Sequence, residues 1–130
     1  MKKLLFVFPL LLAAPLYAAN NSILEGYRAA AKQSVPGFTD FSATRGETLY
    51  KTKTGDLACA TCHGASPKGL GKHVRTDKQI EPLAPSANAK RFTEYATVEK
   101  WFRRNCKDVL KRNCTAAEKG DFITYLLSVK

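Results

Sequence analysis

Apolar residues recur every three or four positions in four stretches of the chain, which is the spacing of helices that bury one face. We therefore expect helices over residues 22–32, 42–51, 97–110 and 115–128. The first and last of these open with capping-box spacing, Ser22 with Glu25 and Thr115 with Glu118, which is typical of a helix start. No stretch alternates apolar and polar residues like a strand. The pattern predicts an all-α domain.

The segment between the second and third predicted helices shows no such period. Residues 64–90 carry Gly, Pro, Ser and Lys throughout. A loop of this length is unusual in a compact domain unless it has a function. We expect irregular chain that wraps around another group.

The N-terminus has the layout of a secretory signal peptide. A basic start precedes an apolar run over residues 4–14, and small residues follow at Ala18 and Ala19. The run is short for a membrane span. We predict a signal peptide over residues 1–18 and one domain over residues 19–130. That domain is expected to be periplasmic and soluble, without stable membrane insertion, and an uncleaved anchor is the alternative.

The strongest chemical motif is Cys59-Ala60-Thr61-Cys62-His63. Two cysteines at this spacing reach the two vinyl groups of one haem and form thioethers, and the histidine that follows binds the iron. The motif predicts a single haem c held by Cys59, Cys62 and His63. A thioredoxin-like redox pair would need a strand before it and a helix after it. A zinc site would need two more ligands, so both alternatives are disfavoured.

The residue on the other side of the iron is harder to predict. Small electron-transfer cytochromes usually complete the iron with a methionine or a second histidine. The only methionine is Met1, which the predicted cleavage removes, and the only other histidine is His73. It follows His63 by ten residues, and the chain would have to pass around a haem edge in that span. A surface or proximal position is favoured for His73, and an electron carrier with His73 as permanent ligand is the alternative.

Asn105 is the other candidate ligand. It falls in the apolar stripe of the third predicted helix, seven residues after Val98 and four before Val109. A buried amide without a partner costs about 1–3 kcal/mol, so the pattern predicts that an interior group satisfies it. That group is either a hydrogen-bond partner, such as a haem propionate or a backbone carbonyl, or the haem iron. Trp101 on the same stripe is expected to contact the haem.

A second cysteine pair, Cys106 and Cys114, encloses seven residues between the third and fourth predicted helices. In an exported protein a disulfide is the default state of such a pair. It would contribute about 2–3 kcal/mol of stability. Two free thiols are the alternative.

Cations dominate one side of the third predicted helix. The formal net charge of the chain is +10, and it falls to +8 when Lys2 and Lys3 leave with the signal peptide. Such a face would attract an acidic electron-transfer partner and speed the encounter, and a merely solvated surface is the competing interpretation. Nucleic acid is not an expected partner of an exported cytochrome. This basic face consists of Lys100, Arg103, Arg104, Lys107 and Lys111.

Several residues resemble known cytochromes. Gly46 and Tyr50 before the haem motif, with Phe122 and Tyr125 after it, resemble class I cytochromes c. The second half of the chain resembles the sphaeroides haem protein family, a group of oxygen-binding cytochromes c, and the likeness extends back to Gly26-Tyr27. The matching segments are Pro82-Leu83-Ala84-Pro85-Ser86, Arg91-Phe92-Thr93, Val98-Glu99-Lys100-Trp101, Arg104-Asn105-Cys106 and Cys114-Thr115.

This resemblance implies a class I cytochrome c-like fold, with four to five helices around one covalently bound haem and an extra N-terminal helix. It implies that Asn105 is the sixth ligand of the ferric iron and leaves on reduction, so that oxygen, nitric oxide or carbon monoxide can bind. It also implies a disulfide between Cys106 and Cys114 and a dihaem cytochrome c as electron donor. Activity as a small oxidase or reductase stays open, and His73 is a departure from the family's pattern.

Overall fold

The computed structural model describes residues 14–130, which form five helices and one short hairpin. The helices are α1 (Ala14–Ser34), α2 (Ala43–Lys51), α3 (Cys59–His63), α4 (Tyr95–Leu110) and α5 (Ala116–Ser128). Strand β1 (Gly71–Lys72) pairs antiparallel with β2 (Gln79–Ile80), with Gly71 opposite Ile80. Within this part of the chain, no helix has both the length and the apolar character needed to cross a membrane.

Helix α2 crosses α5 at close range because Gly46 has no side chain. A Cβ atom on Gly46 would lie 2.0 Å from the backbone oxygen of Asp121. The buried Asp121 carboxylate accepts a hydrogen bond from the Ser42 amide at 2.7 Å and another from Arg45 Nε at 2.7 Å. These contacts fix the start of α2 on α5. Tyr50, near the other end of α2, is completely buried.

Helix α4 packs on α1 and α5 through aromatic side chains. The Phe102 ring centroid lies 6.2 Å from that of Tyr27 and 5.7 Å from that of Phe122. The Tyr27 hydroxyl donates to Glu99 Oε1 at 2.5 Å, and Lys119 Nζ donates to the same oxygen at 2.7 Å. The first half of α4 is thereby joined to both neighbouring helices.

The four predicted helices are confirmed, with differences at their ends. The Thr115–Glu118 capping box is present at the start of α5. The predicted box at Ser22 and Glu25 is wrong, because α1 already includes residues before it. Ser22 Oγ donates to the Ala19 carbonyl within α1, and Glu25 pairs with Arg28.

The predicted signal peptide is only partly within the described residues. Residues 1–13 lie outside them. Helix α1 (Ala14–Ser34) runs across the predicted cleavage position after Ala18. The boundary between leader and domain therefore stays a prediction.

The expectation of no strands is wrong at one place, residues 71–80. Each strand of the hairpin has two residues, which is too short for an alternating pattern to show in the sequence. The remainder of residues 64–90 consists of turns and irregular chain without a helix, as predicted.

Candidate haem-attachment site

The motif cysteines and histidine form a helix of their own, α3, that is fixed at both ends. At its start, Thr61 Oγ1 accepts a hydrogen bond from the Ala58 amide at 2.8 Å. At its end Gly64 adopts a φ of +82°, and its amide donates to the Ala60 carbonyl at 2.9 Å. The buried Tyr50 hydroxyl donates to the Gly64 carbonyl at 2.6 Å. The positive φ, which favours glycine, lets the chain turn sharply after His63.

The hairpin lies directly against α3. A Cβ atom on Gly71 would lie 2.2 Å from the Cys62 carbonyl oxygen and 3.0 Å from His63 Cα. Because real Cβ atoms do not approach backbone this closely, only glycine allows β1 to take this position. The backbone of the attachment motif is thus supported by α2 on one side and by β1 on the other.

The chemical state of the three motif side chains suits a haem c. The Cys59 and Cys62 thiols are not joined to each other or to another cysteine, so both sulfur atoms are available for thioethers. Burial raises the pKa of Cys59 to about 11. Burial, with a smaller contribution from the Arg91 cation, lowers the pKa of His63 to about 4. The imidazole is therefore neutral at pH 7, which is the form that binds iron.

Within residues 14–130, no three His, Cys, Asp or Glu side chains are grouped so that they could hold a metal ion by themselves. Large apolar side chains are exposed at Leu70 and Val74, which follow the motif in the sequence, and at Trp101 on α4. A porphyrin face can cover a surface of this kind.

Helix α4 separates its apolar positions into two lines. Val98, Phe102 and Cys106 are buried, whereas Trp101 is 46% exposed and Asn105 is exposed. No group of the described residues covers Asn105, and the prediction that a hydrogen-bond partner or the haem iron satisfies its amide stays a prediction. The apolar stripe predicted from the sequence is wider than the line of α4 side chains that packs on α1 and α5. Asn105 lies one turn after Trp101 and, like it, outside this packed line.

The surroundings of Trp101 connect it to the basic face. The Arg104 guanidinium lies 5.3 Å from the centroid of the Trp101 ring, a cation–π distance. Asn105 follows directly in the sequence. The exposed side of α4 thus places an aromatic ring, a cation and an amide within one turn.

His73 lies in the turn between β1 and β2. Its amide donates to the Lys78 carbonyl at 2.9 Å, and its Nδ1 accepts a hydrogen bond from the Arg75 amide at 3.3 Å. Gly71, two residues earlier, touches the backbone of α3. The same turn also approaches the end of α4, where Arg75 Nη2 lies 4.0 Å from Asp108 Oδ2.

The second cysteine pair forms the predicted disulfide. Cys106 on α4 is bonded to Cys114, with the two Cα atoms 5.7 Å apart. The bond joins the second half of α4 to the chain entering α5, directly after Asn105.

Sequence reasoning missed the role of Arg91. Its Nε donates to the Pro82 carbonyl at 2.9 Å and its Nη2 to the Glu81 carbonyl at 2.8 Å. The next residues, Leu83 and Ala84, both donate their amides to the Pro67 carbonyl, at 2.8 and 2.9 Å. Arg91 therefore closes the loop that follows the attachment motif. Nothing in the periodicity of residues 64–90 could have shown this.

Comparison with known proteins places this site in a family. A family model described as a domain of unknown function, DUF1924, matches residues 36–126. Cytochrome c-type protein SHP of Cereibacter sphaeroides is 44% identical over 123 residues, covering 88% of this chain and 90% of that protein.

Two solved structures share the fold. Oxidised SHP, described as an oxygen-binding cytochrome c, is 42% identical with a TM-score of 0.73, covering 82% of this chain and 94% of SHP. The solution structure of cytochrome c'' from Methylophilus methylotrophus, which concerns the structural basis of haem-ligand detachment, is 35% identical. Its TM-score is 0.76, and the match covers 85% of this chain and 94% of the other.

These relationships confirm three predictions from the sequence: the resemblance to the sphaeroides haem protein family, the all-α cytochrome c fold and the haem c cofactor. Cys59 and Cys62 stand in the attachment motif that such a cofactor requires. The chain belongs to the family of c-type cytochromes that contains SHP and cytochrome c''.

Proposed function

We propose that this protein is a periplasmic monohaem cytochrome in which Asn105 binds the ferric iron and leaves it on reduction, so that a diatomic ligand can enter. The haem, held by Cys59, Cys62 and His63, would supply a redox-active iron that can exchange one ligand. The observation that carries the proposal is the placement of Asn105, exposed beside Trp101 on α4 and not tied into the core. No side-chain hydrogen bond holds its amide within the described residues.

The chemistry of an amide supports a ligand that leaves on reduction. An amide donor is neutral and hard, so it holds the harder ferric ion better than the softer ferrous one. Because Asn105 lies outside the line of buried side chains on α4, its side chain could rotate away without opening the packed core. After rotation the amide would stay close enough to donate a hydrogen bond to a diatomic ligand.

The relatives support the same type of function. SHP is described as an oxygen-binding cytochrome c, and cytochrome c'' has been studied for detachment of a haem ligand. A small oxidase or nitric oxide reductase would use this site for turnover. A simple gas-binding protein would use it without turnover.

Electron delivery would take place on the basic face of α4. All five of its cations are exposed, and none of them forms an ion pair with a described carboxylate. Unpaired cations on one face attract an acidic surface over a distance set by the salt concentration. An electron donor with an acidic surface is the partner that we propose, and the sequence resemblance implies a dihaem cytochrome c.

Carbon monoxide titration of the reduced holoprotein tests the proposal. We expect a five-coordinate high-spin ferrous spectrum and rapid binding of carbon monoxide. Asn105→Val should convert the ferric iron from low spin to an open or water-bound form. Asn113→Val, which removes an exposed amide beyond the end of α4, is the matched control and should leave both spectra unchanged. A six-coordinate ferrous spectrum indifferent to carbon monoxide would contradict the proposal.

The second candidate is an electron carrier with His73 as permanent ligand. The contact between Arg75 and Asp108 favours it, because it brings the hairpin turn towards α4. The contact of Gly71 with the α3 backbone opposes it. His73 comes only two residues after Gly71, so this contact keeps it close to the attachment helix. His73→Ala should abolish a low-spin spectrum if His73 is the ligand, and our proposal predicts little change.

A further inference from the structure

Arg91 is a half-buried cation whose hydrogen-bonding capacity is only partly used. A guanidinium has five N–H groups. Two of them donate to the Pro82 and Glu81 carbonyls. Its Nη1 donates to no acceptor in the described part of the chain.

The charge of Arg91 also lacks a protein partner. Among the described residues, no carboxylate oxygen lies within 4.0 Å of its guanidinium. Burial lowers the pKa of Arg91, and the nearby charge of Glu81 opposes this only in part. A cation that is removed from water without a counter-charge is costly, so the fold must gain something by holding it there.

The position of Arg91 is tied to the attachment site through backbone hydrogen bonds. Arg91 holds the carbonyls of residues 81 and 82, and the next two amides donate to the Pro67 carbonyl. Pro67 follows His63 by four residues.

The backbone of Phe92, the residue after Arg91, is independent evidence that this part of the loop is held in one specific conformation. Phe92 has a φ of +57°, a left-handed conformation that is strained for an aromatic residue. The Phe92 side chain packs against the hydrophobic core. The strained backbone lets Phe92 face the core while Arg91 faces the loop at residues 81–82.

We propose that Arg91 binds a carboxylate of the haem, one of its two propionates, through the N–H groups that the protein leaves unused. A propionate is an anion covalently attached to the ring, so it would supply the missing counter-charge at the edge next to residues 81–92. Arg91 would then link three elements: the loop backbone, the haem edge and the attachment helix. The inference rests on the haem c cofactor and not on the sixth ligand.

The midpoint potential of the holoprotein tests this proposal. Arg91→Met removes a positive charge beside the haem, so the ferric state gains stability relative to the ferrous state. We expect reduction to become about tenfold less favourable, a fall of about 59 mV for one electron. The resonance Raman band for propionate bending should shift in the same variant. Lys90→Met removes the same charge from the exposed neighbouring residue, and neither readout should change by a comparable amount.

Arg91→Lys separates the charge from the guanidinium fork. It keeps the cation, so the potential should recover most of its wild-type value, while the propionate band should stay shifted because the paired N–H groups are lost. The proposal is wrong if Arg91→Met and Lys90→Met have the same potential and the same propionate band. It is also wrong if the wild-type potential depends on added phosphate and the propionate band does not respond to Arg91→Lys, because Arg91 would then bind a free anion. Both readouts are independent of carbon monoxide binding, so this test can fail while the proposed function stands.

Discussion

The attachment helix α3 and the candidate ligand helix α4 are held in opposite ways. Helix α3 and the residue after it are held at their backbone: the Tyr50 hydroxyl donates to the Gly64 carbonyl at 2.6 Å, and Gly71 touches the Cys62 carbonyl. Helix α4 packs on other helices along one line of buried side chains, Val98, Phe102 and Cys106. Trp101 and Asn105 lie outside this line and are not covered by other described residues.

The difference matches what each helix would do in the proposed function. A covalent attachment needs thiols and an imidazole in fixed positions, which contacts to the α3 backbone provide because Tyr50 is fully buried and Gly71 leaves no space for movement. A ligand that leaves on reduction would need two positions for its side chain, which a place outside the packed line of α4 allows. We infer that α3 supplies the permanent part of the iron site and α4 the exchangeable part.

Removing the disulfide is the strongest way to loosen α4 without touching α3. In the double variant Cys106→Ala with Cys114→Ala, we expect a loss of about 2.5 kcal/mol in the free energy of unfolding, from the closed loop that the bond no longer restrains. Guanidinium unfolding of the ferric holoprotein, followed by circular dichroism, measures it.

Hydrogen exchange in the same double variant tests where the loosening occurs. Amides at residues 103–110 should exchange faster than those at residues 95–102, which Phe102 and Glu99 still hold. Uniform acceleration along α4 would contradict the view that its two halves are anchored separately. Amides of α3 should keep their wild-type rates.

Gly71→Ala tests how α3 is supported by strand β1. The new Cβ atom would lie 2.2 Å from the Cys62 carbonyl, so the hairpin must move away from α3. We expect a loss of about 2 kcal/mol, within the range of overpacked positions, measured by the same unfolding experiment. Gly69→Ala is the matched control, because its Cβ would meet its nearest neighbour at an ordinary 3.5 Å. Equal stabilities for the two variants would show that β1 does not support α3.

Local spacing predicted much of this molecule because the relevant signals are short-range. The haem motif needs only neighbouring residues, and the capping box at Thr115 needs only Glu118. The disulfide was predictable because a disulfide is the default state of such a cysteine pair in a chain with a predicted export signal. Each of these features is determined within ten residues of sequence.

Features that depend on long-range packing were not predictable in the same way. Periodicity placed Asn105 on the apolar side of its helix, but not outside the line that packs on α1 and α5, because that choice depends on where Tyr27 and Phe122 lie. The hairpin strands are too short to leave a pattern. The contacts of Arg91 arise from the path of an irregular loop.

The smallest effect concerns how the first half of α4 is anchored. Burial alone would raise the pKa of Glu99, but the hydrogen bonds from Lys119 and Tyr27 outweigh it and hold that pKa below its usual range. A carboxyl with a lowered pKa in the folded state stabilises the protein above its unfolded pKa, and this contribution disappears as the pH falls through the folded pKa. Glu99→Gln should therefore cost less than about 1 kcal/mol at pH 7, because the pair is partly screened by solvent. The cost should shrink towards zero below about pH 4, as measured by urea unfolding at the two pH values.

Asp56→Asn is the control for this variant and should not change the stability at either pH. Asp56 is an exposed carboxylate without an ion pair to the described residues. An equal loss for Glu99→Gln at both pH values would mean that shape, and not charge, holds Glu99 between Tyr27 and Lys119, and that α4 is anchored by packing along its whole length.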